Sequence, residues 1–478
     1  MVAAFDNNGA ISYPAAFDEV IGVDFDITNK RVHEFTFVKN SPINIRGIGT
    51  EVVVPWLDSK TKTVGGSSFA APYISSIIFN YLCENEGTNK VHQFLENTAK
   101  KIVTCDLNPQ KLSNKISWIN RAIIFPYNKE MHSILRYNDL LNFKIDSVYD
   151  VKNLGNINKN VSDLQSIRGN IDWTIKNYKD IDWVDEFDTV ILGHTEELGN
   201  ALEIDLLEEF VKNCEKFNKK LYCFDDLTRY EKIFNVTKER ENFWFFPRID
   251  NTFVNKNTFG RLRHVGVPVI AVVGTGSKQG KFTLQLELRA RFVENDYTIK
   301  QLGSEPSSLL FGFDSCIPVG YRSTVDISGY DLIKVVNDAI GKMEDEKAEI
   351  IMVGTQSNTI PLTTGFIGFY PLYNTDILLG SEPDICILSV NFNDDVNYIK
   401  RTISYLENYI STKVLALVIF PVMRDSLWSS LTSRGVLIEK NKLNEKKNEL
   451  FEKTKINVYI LGDSNEMDKL YNDIIDFF

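Results

Sequence analysis

The amino-acid sequence predicts an α/β fold class, and three observations predict it. Short apolar runs rich in Val and Ile alternate with helical patterns, a βαβ rhythm that implies parallel sheets. Several of those runs are apolar at consecutive positions, as strands covered on both faces are. One of them ends in a glycine-rich turn with a lysine, followed by a helix, which is the local form of a phosphate loop. The chain has 478 residues. At roughly 150 residues per domain that corresponds to about three domains.

Composition narrows the function classes. With 43% hydrophobic and 24% charged residues the chain is an ordinary globular one. Its 53 Lys and Arg against 64 Asp and Glu give a net charge of −11. That balance speaks against nucleic-acid partners, whose binding rests on clustered cations. No run approaches the ~20 apolar residues that span a bilayer, so no membrane partner is expected. The first residues, Met1 to Pro14, lack the basic start and apolar core of a signal peptide. Six scattered cysteines, with no CxxC pair and no neighbouring His, read as reduced thiols of a cytoplasmic protein without a metal site.

Three blocks follow in order: 1–105, 118–250 and 262–478. In the first, Glu19 to Val23 and Glu51 to Val54 are strand-like, and a helix follows Pro72. Its Ile74, Ile77, Ile78, Tyr81 and Leu82 recur at helical spacing on one face. Asp106 to Ser117 reads as a linker. In the second block, Ala122 to Tyr127, Asp188 to Gly193 and Lys220 to Asp226 are strands. Helices are expected through Ile134 to Leu141 and Glu203 to Phe217. This is a Rossmann-like parallel α/β domain, but no GxGxxG accompanies it. In the third, the strands are Val267 to Val273, Glu349 to Val353, Asp384 to Val390, Val414 to Phe420 and Ile456 to Leu461. Lys440 to Lys455, interleaved with Glu, is a solvated helix.

Two motifs carry chemistry. Gly66-Ser67-Ser68-Phe69-Ala70-Ala71-Pro72 leads into the first helix. A serine there is either a plain helix cap or a nucleophile placed where the helix dipole favours a developing oxyanion. The second is Gly274-Thr275-Gly276-Ser277-Lys278-Gln279-Gly280-Lys281-Phe282-Thr283. Its glycines free backbone N–H groups to curl round a phosphate, and Lys281 adds charge. Against a strict GxxxxGK[ST], the first glycine stands one residue early and the hydroxyl falls at Thr283 instead of position 282. His194 stands at a strand end, but none of the five histidines sits in a recognisable catalytic pattern.

The first motif resembles the Gly-Thr-Ser-x-Ala-x-Pro segment of subtilisin-like serine proteases. Ala3-Ala4-Phe5-Asp6-Asn7-Asn8-Gly9, Tyr13-Pro14-Ala15 and Val20-Ile21-Gly22-Val23 resemble the family's upstream stretches. The resemblance implies that block one is the C-terminal half of a partial subtilisin-like α/β domain. Ser68 is then the nucleophile and Asn7 the oxyanion donor. The family's Asp and His precede the Asn, so they are expected outside this chain, on an upstream protease half. The longer Gly-Thr-x-x-x-x-Gly-Lys spacing resembles dethiobiotin-synthetase-like P-loop proteins, and closest the P-loop family that includes D-glutamate N-acetyltransferases. That implies a P-loop NTPase-like α/β domain in which Gly274, Thr275, Gly280, Lys281 and Thr283 hold phosphate. In that family a later strand ends in Val-Glu-Gly-Gln-Gly-Ser; here Val353-Gly354-Thr355-Gln356-Ser357-Asn358 keeps the glutamine and lacks the acid. Glu305 is a substitute. The ligand expected is ATP, with Mg, or an acyl-CoA.

Ala122 to Glu130, with Leu135-Arg136 and the P-loop, also resembles peptide-maturation components that accompany bacteriocin-type peptides. The leading expectation is therefore a serine endopeptidase that matures a precursor peptide. Its rival is a P-loop transferase or regulatory module on which block one is only scaffold.

Overall fold

The computed structural model describes residues 1–7, 12–29, 31–85, 90–104, 116–165, 167–168, 171–233, 244–254, 261–423 and 436–478. Cys105, Asn8, Gly9 and most of the Asp106 to Ser117 linker lie outside them. The chain forms two compact units, Met1–Gln110 with Val254–His264, and Lys111–Phe253 with Val265–Phe478.

In the first unit, strands β1 (Val2–Ala4), β2 (Ile21–Asp26), β3 (Thr36–Lys39) and β4 (Ile45–Ile48) precede a separate antiparallel hairpin of β5 (Val52–Pro55) and β6 (Thr61–Val64). With β7 (Lys101–Thr104), the main sheet has the order β1-β2-β4-β3-β7, parallel except between β3 and β4. The strand-like run Glu51 to Val54 corresponds to β5, which pairs in the hairpin and lies outside the main sheet. The helix Ser67–Glu84 begins before Pro72 and contains it. Proline's missing N–H leaves the Ser68 carbonyl without its helical donor, a tolerable loss so near the helix start. Ile74 and Ile78 are buried on the sheet, with Ile77, Tyr81 and Leu82 packed beside them, the face that the spacing predicts.

Arg261 ties the 254–264 segment into this unit. Its Nη2 lies 2.9 Å from Asp24 Oδ1, and its guanidinium stacks on Phe25 at 4.1 Å. Arg46 Nε approaches the same carboxylate at 3.7 Å. Burial still raises the Asp24 carboxyl above its ordinary value, the hydrogen bond from Phe25 N–H and the two arginines opposing.

The second unit holds two wholly parallel sheets. The first comprises β8 (Arg121–Phe125), β9 (Lys144–Asp150), β10 (Lys176–Asn177), β11 (Thr189–Leu192), β12 (Lys220–Cys223) and β13 (Trp244–Phe245), in the order β10-β9-β8-β11-β12-β13. The second comprises β14 (Val269–Gly274), β15 (Ile299–Gly303), β16 (Ser315–Cys316), β17 (Ile350–Gly354), β18 (Ile385–Asn391), β19 (Lys413–Phe420) and β22 (Asn457–Ile460). Its order is β16-β15-β17-β14-β18-β19-β22, and β20 (Val422–Met423) and β21 (Val436–Leu437) pair apart from it. The α/β class therefore holds. The helix expected over Glu203 to Phe217 is Leu206–Lys216, and a separate helix, Glu196–Leu202, precedes it. Glu203 between them is left-handed (φ 57°), and Asp205 caps the second through Glu208 N at 2.9 Å.

One core joins the two sheets. Ile124 and Ile191 of the first sheet share it with Phe282, Leu286, Phe311 and Phe313 of the second region. Tyr222 Oη donates to Pro306 O at 2.6 Å across the same boundary.

Two stability predictions follow from these buried charges. Arg261→Ala should lower urea stability by about 3 kcal/mol, because Asp24 is left buried with only the more distant Arg46. Asp150, fully buried at the end of β9, has its carboxyl pushed up by burial to about 6, against hydrogen bonds from Asn156 and Val151. The unfolded chain releases this proton near the ordinary 3.8. Stability from this group is therefore full below pH 4 and falls by up to ~3 kcal/mol as pH rises to 6. Asp150→Asn should flatten that slope in urea titrations between pH 4 and 7.

Candidate functional site

The glycine-rich loop joins β14, at the topological middle of its sheet, to the helix Lys281–Glu294. Sheets of this kind bind ligands beyond the carboxyl ends of their strands, where the strand order reverses. Gly280 has φ 72°, and a β-carbon there would lie 2.5 Å from Leu461 Cδ2, so both conformation and space require glycine. Lys281 is buried, and its Nζ donates to Gly276 O at 2.7 Å and to Ser357 O at 2.9 Å. Burial pulls this amine down to about 8, with the nearby Glu305 opposing. Glu305, at the end of β15, is pushed up by burial to about 7, against the pull of Lys281.

The loop is filled from within. Gln279 Oε1 accepts the Gly276 N–H at 2.9 Å, and its Nε2 donates to Thr275 Oγ1 at 2.5 Å. The Thr275 hydroxyl donates to Asp394, whose carboxylate also accepts from Asn391 N at 2.7 Å. Thr275 thus pins the loop to the end of β18. Thr283 is half-buried on the first turn of the helix. The structure brings Gly274, Gly280 and Lys281 together, while the hydroxyl of Thr275 is engaged by protein groups.

A magnesium ion does not fit these residues as a P-loop would hold one. Position 282, where a metal-binding hydroxyl would stand, is Phe282, buried in the shared core. Gly354 stands where an acid was expected, and a β-carbon there would lie 2.5 Å from Gln285 Oε1. A neutral amide occupies the space of the carboxylate. Among the described residues no group of three or more His, Cys, Asp or Glu could hold a metal. Gln356 donates to Ser304 O at 2.8 Å and ties β17 to β15.

Sequence reasoning missed how far the histidine at 194 is built in. His194 Nδ1 lies 2.7 Å from Asp225 Oδ1, and Asp225 Oδ2 accepts from Thr195 N at 2.8 Å and Thr195 Oγ1 at 3.0 Å. These groups follow β11 and β12. They are 31 positions apart, and only parallel pairing of the two strands makes them neighbours.

In the first unit, Ser68 is exposed and makes no hydrogen bond among the described residues. The engaged serine is Ser67, whose N–H donates to Asn7 Oδ1 at 2.8 Å and whose hydroxyl donates to Phe5 O. Asn7 therefore serves as a cap for the helix Ser67–Glu84, contributed by a distant segment.

Comparison with known proteins places the functional signal elsewhere. Residues 257–414 match the family described as "Domain of unknown function (DUF1611_C) P-loop domain". A DUF1611 family protein from Anabaena variabilis has a similar structure, with TM-score 0.51 and 11% identity over 75% of this chain and 99% of that one. At that identity the likeness shows a shared fold. A nucleotide-binding protein from Archaeoglobus fulgidus in complex with ADP overlaps 43% of this chain and 86% of its own, at 14% identity and TM-score 0.24. Cobyrinic acid a,c-diamide synthase from Mycobacterium smegmatis, with bound ADP and magnesium, overlaps 44% of this chain and 94% of its own, at 12% identity and TM-score 0.29. No curated protein matches the chain.

The protease expectation is corrected by these findings. The family match and the structural match lie with a P-loop family and carry no protease signal, so the assignment to subtilisin-like proteases and to serine endopeptidases is withdrawn, and with it the resemblance that gave Ser68 and Asn7 their roles. Physically, a serine with no base beside it stays a weak nucleophile at its free pKa. The same findings give no support to the peptide-maturation and bacteriocin reading. Residues 257–414 are those that match a P-loop domain model, and no described helix is long and apolar enough to cross a membrane.

Gly274→Ala tests the filled loop. The new β-carbon would lie 2.6 Å from Gln279 Oε1 and 3.1 Å from Lys281 Nζ. Overpacking of this kind costs about 1–3 kcal/mol, and urea unfolding should report a stability lower by that amount, with a lower Tm.

Proposed function

We propose that the loop from Gly274 to Lys281 binds the phosphates of a nucleoside triphosphate, ATP being the first candidate. The observation that carries the reading is Lys281. It is a buried ammonium at a helix N-terminus whose hydrogen bonds run to two backbone carbonyls. A buried cation without a carboxylate in contact is destabilised by desolvation, and an anion brought to the loop relieves that. The N–H groups of the loop and the helix dipole favour the same anion.

Phe282 and the Gly354–Gln285 pairing favour a second reading, in which the phosphate is an anchor and not the reacting group. An acyl-CoA, held by its diphosphate, has that chemistry. Both readings belong to a transferase or regulatory module with a phosphate-bearing ligand, and block one is then scaffold.

Isothermal titration calorimetry of the full chain with ATP, with and without magnesium, and with acetyl-CoA tests both. Binding should weaken about 10–100-fold in Lys281→Ala, the loss of a charge-assisted hydrogen bond or two. It should also weaken as pH rises through about 8, because only the protonated amine attracts phosphate. ATP binding that magnesium leaves unchanged agrees with Phe282 and Gly354. Absence of heat with every ligand contradicts the proposal.

A further inference from the structure

The phosphate loop is closed by one of its own side chains. Gln279 stands immediately before Gly280 and is 1% exposed. Its Oε1 accepts the Gly276 N–H at 2.9 Å, and its Nε2 donates to Thr275 Oγ1 at 2.5 Å and to Asp394 Oδ2 at 3.3 Å. Every side-chain hydrogen bond that Gln279 makes among the described residues therefore runs to the loop itself or to the aspartate that anchors it.

The small residues of the loop make room for this amide. A β-carbon on Gly274 would lie 2.6 Å from Gln279 Oε1, and one on Gly276 would lie 3.3 Å from Nε2. In a phosphate-binding loop that space, and the N–H groups that face it, serve an anion. Here an amide oxygen, a neutral counterpart of a phosphate oxygen, has taken the Gly276 N–H. The carbonyl of the same residue is held by Lys281 Nζ at 2.7 Å. Two groups that would meet an anion, an N–H and an ammonium, are thus engaged with protein oxygens.

A brace and a plug differ in what their removal leaves behind. Thr275 keeps Asp394 as the acceptor for its hydroxyl with or without Gln279. The donor that loses its partner is the Gly276 N–H, and a phosphate oxygen satisfies that donor.

We propose that Gln279 is an autoinhibitory plug: its amide stands in for a phosphate, and a ligand binds only after the side chain has swung out. The proposal rests on the phosphate reading above and deepens it. The chain then divides between a closed loop and a minor open one, and the affinity it shows is the open-loop affinity scaled by the open fraction. The bonds to Gly276 and Thr275 are of ordinary strength, so the open fraction is roughly a tenth or less.

Calorimetry of the full chain with ATP and with inorganic pyrophosphate, wild type against Gln279→Ala, is the test. Removing a side chain that only braces the loop weakens binding or leaves it unchanged. Removing a plug strengthens it, and Kd should fall about tenfold. The same substitution should lower Tm without ligand and enlarge the rise in Tm that saturating ATP gives, because the lost contact belongs to the closed loop alone. Gln279→Ser, also too short to place an oxygen on the Gly276 N–H, should behave alike and serves if the alanine variant does not fold. Wild-type binding that neither variant tightens overturns the plug and leaves the phosphate reading standing. Binding by a variant alone, with none by the wild type, supports both. No binding of either compound by any of the three chains overturns both.

Discussion

The second unit depends on what two successive residues do at the start of the helix Lys281–Glu294. Lys281 turns into the phosphate loop, and Phe282 turns into the core shared by the two parallel sheets. The side chain that would hold a metal in a strict P-loop is here the one that fastens the two sheets together. Exchanging Phe282 for a hydroxyl residue would open a cavity in that core, at roughly 3–5 kcal/mol for a buried Phe truncated to Ala. The packing therefore restrains the chemistry, and the loop is fitted to hold phosphate more than to organise magnesium.

The same packing brings the carboxyl ends of both sheets into one unit. Tyr321, which follows β16, stands edge-on to His194, which follows β11, and Lys129, which follows β8, lies over its ring. Neither sheet alone has this combination of a buried ammonium and an imidazole–carboxylate pair. A shared core built from Phe282, Phe311, Phe313, Ile124 and Ile191 joins the two sheets.

Much of the fold was legible in the sequence. Strands buried on both faces, such as Ile385–Asn391 and Lys413–Phe420, announce themselves as apolar runs, and the helix through Ile74 and Ile78 does so by its period. Lys144–Asp150 escaped because its charges interrupt the run, although Asp150 is fully buried. The helix expected from Glu203 starts only at Leu206, because nothing local marks Glu203 as left-handed at the edge of a helical pattern. Gly280 and Lys281 were legible by spacing, but the occupation of the acid's place by Gln285 was not, since that is a contact between elements far apart in the chain. The motif around Ser68 misled for a local reason: small residues and a serine at a helix start serve capping equally well, and Asn7 does the capping on Ser67. His194 and Asp225 carry no sequence signal together; strand pairing alone unites them.

The central claim is that the buried Lys281 waits for a phosphate. A crystal structure of the chain grown with a non-hydrolysable ATP analogue tests it most directly. The account predicts phosphate within hydrogen-bond reach of Lys281 Nζ and the N–H of Gly276, with Gln279 moved off that N–H. An analogue seated elsewhere, with Lys281 still on the carbonyls of Gly276 and Ser357, would contradict it.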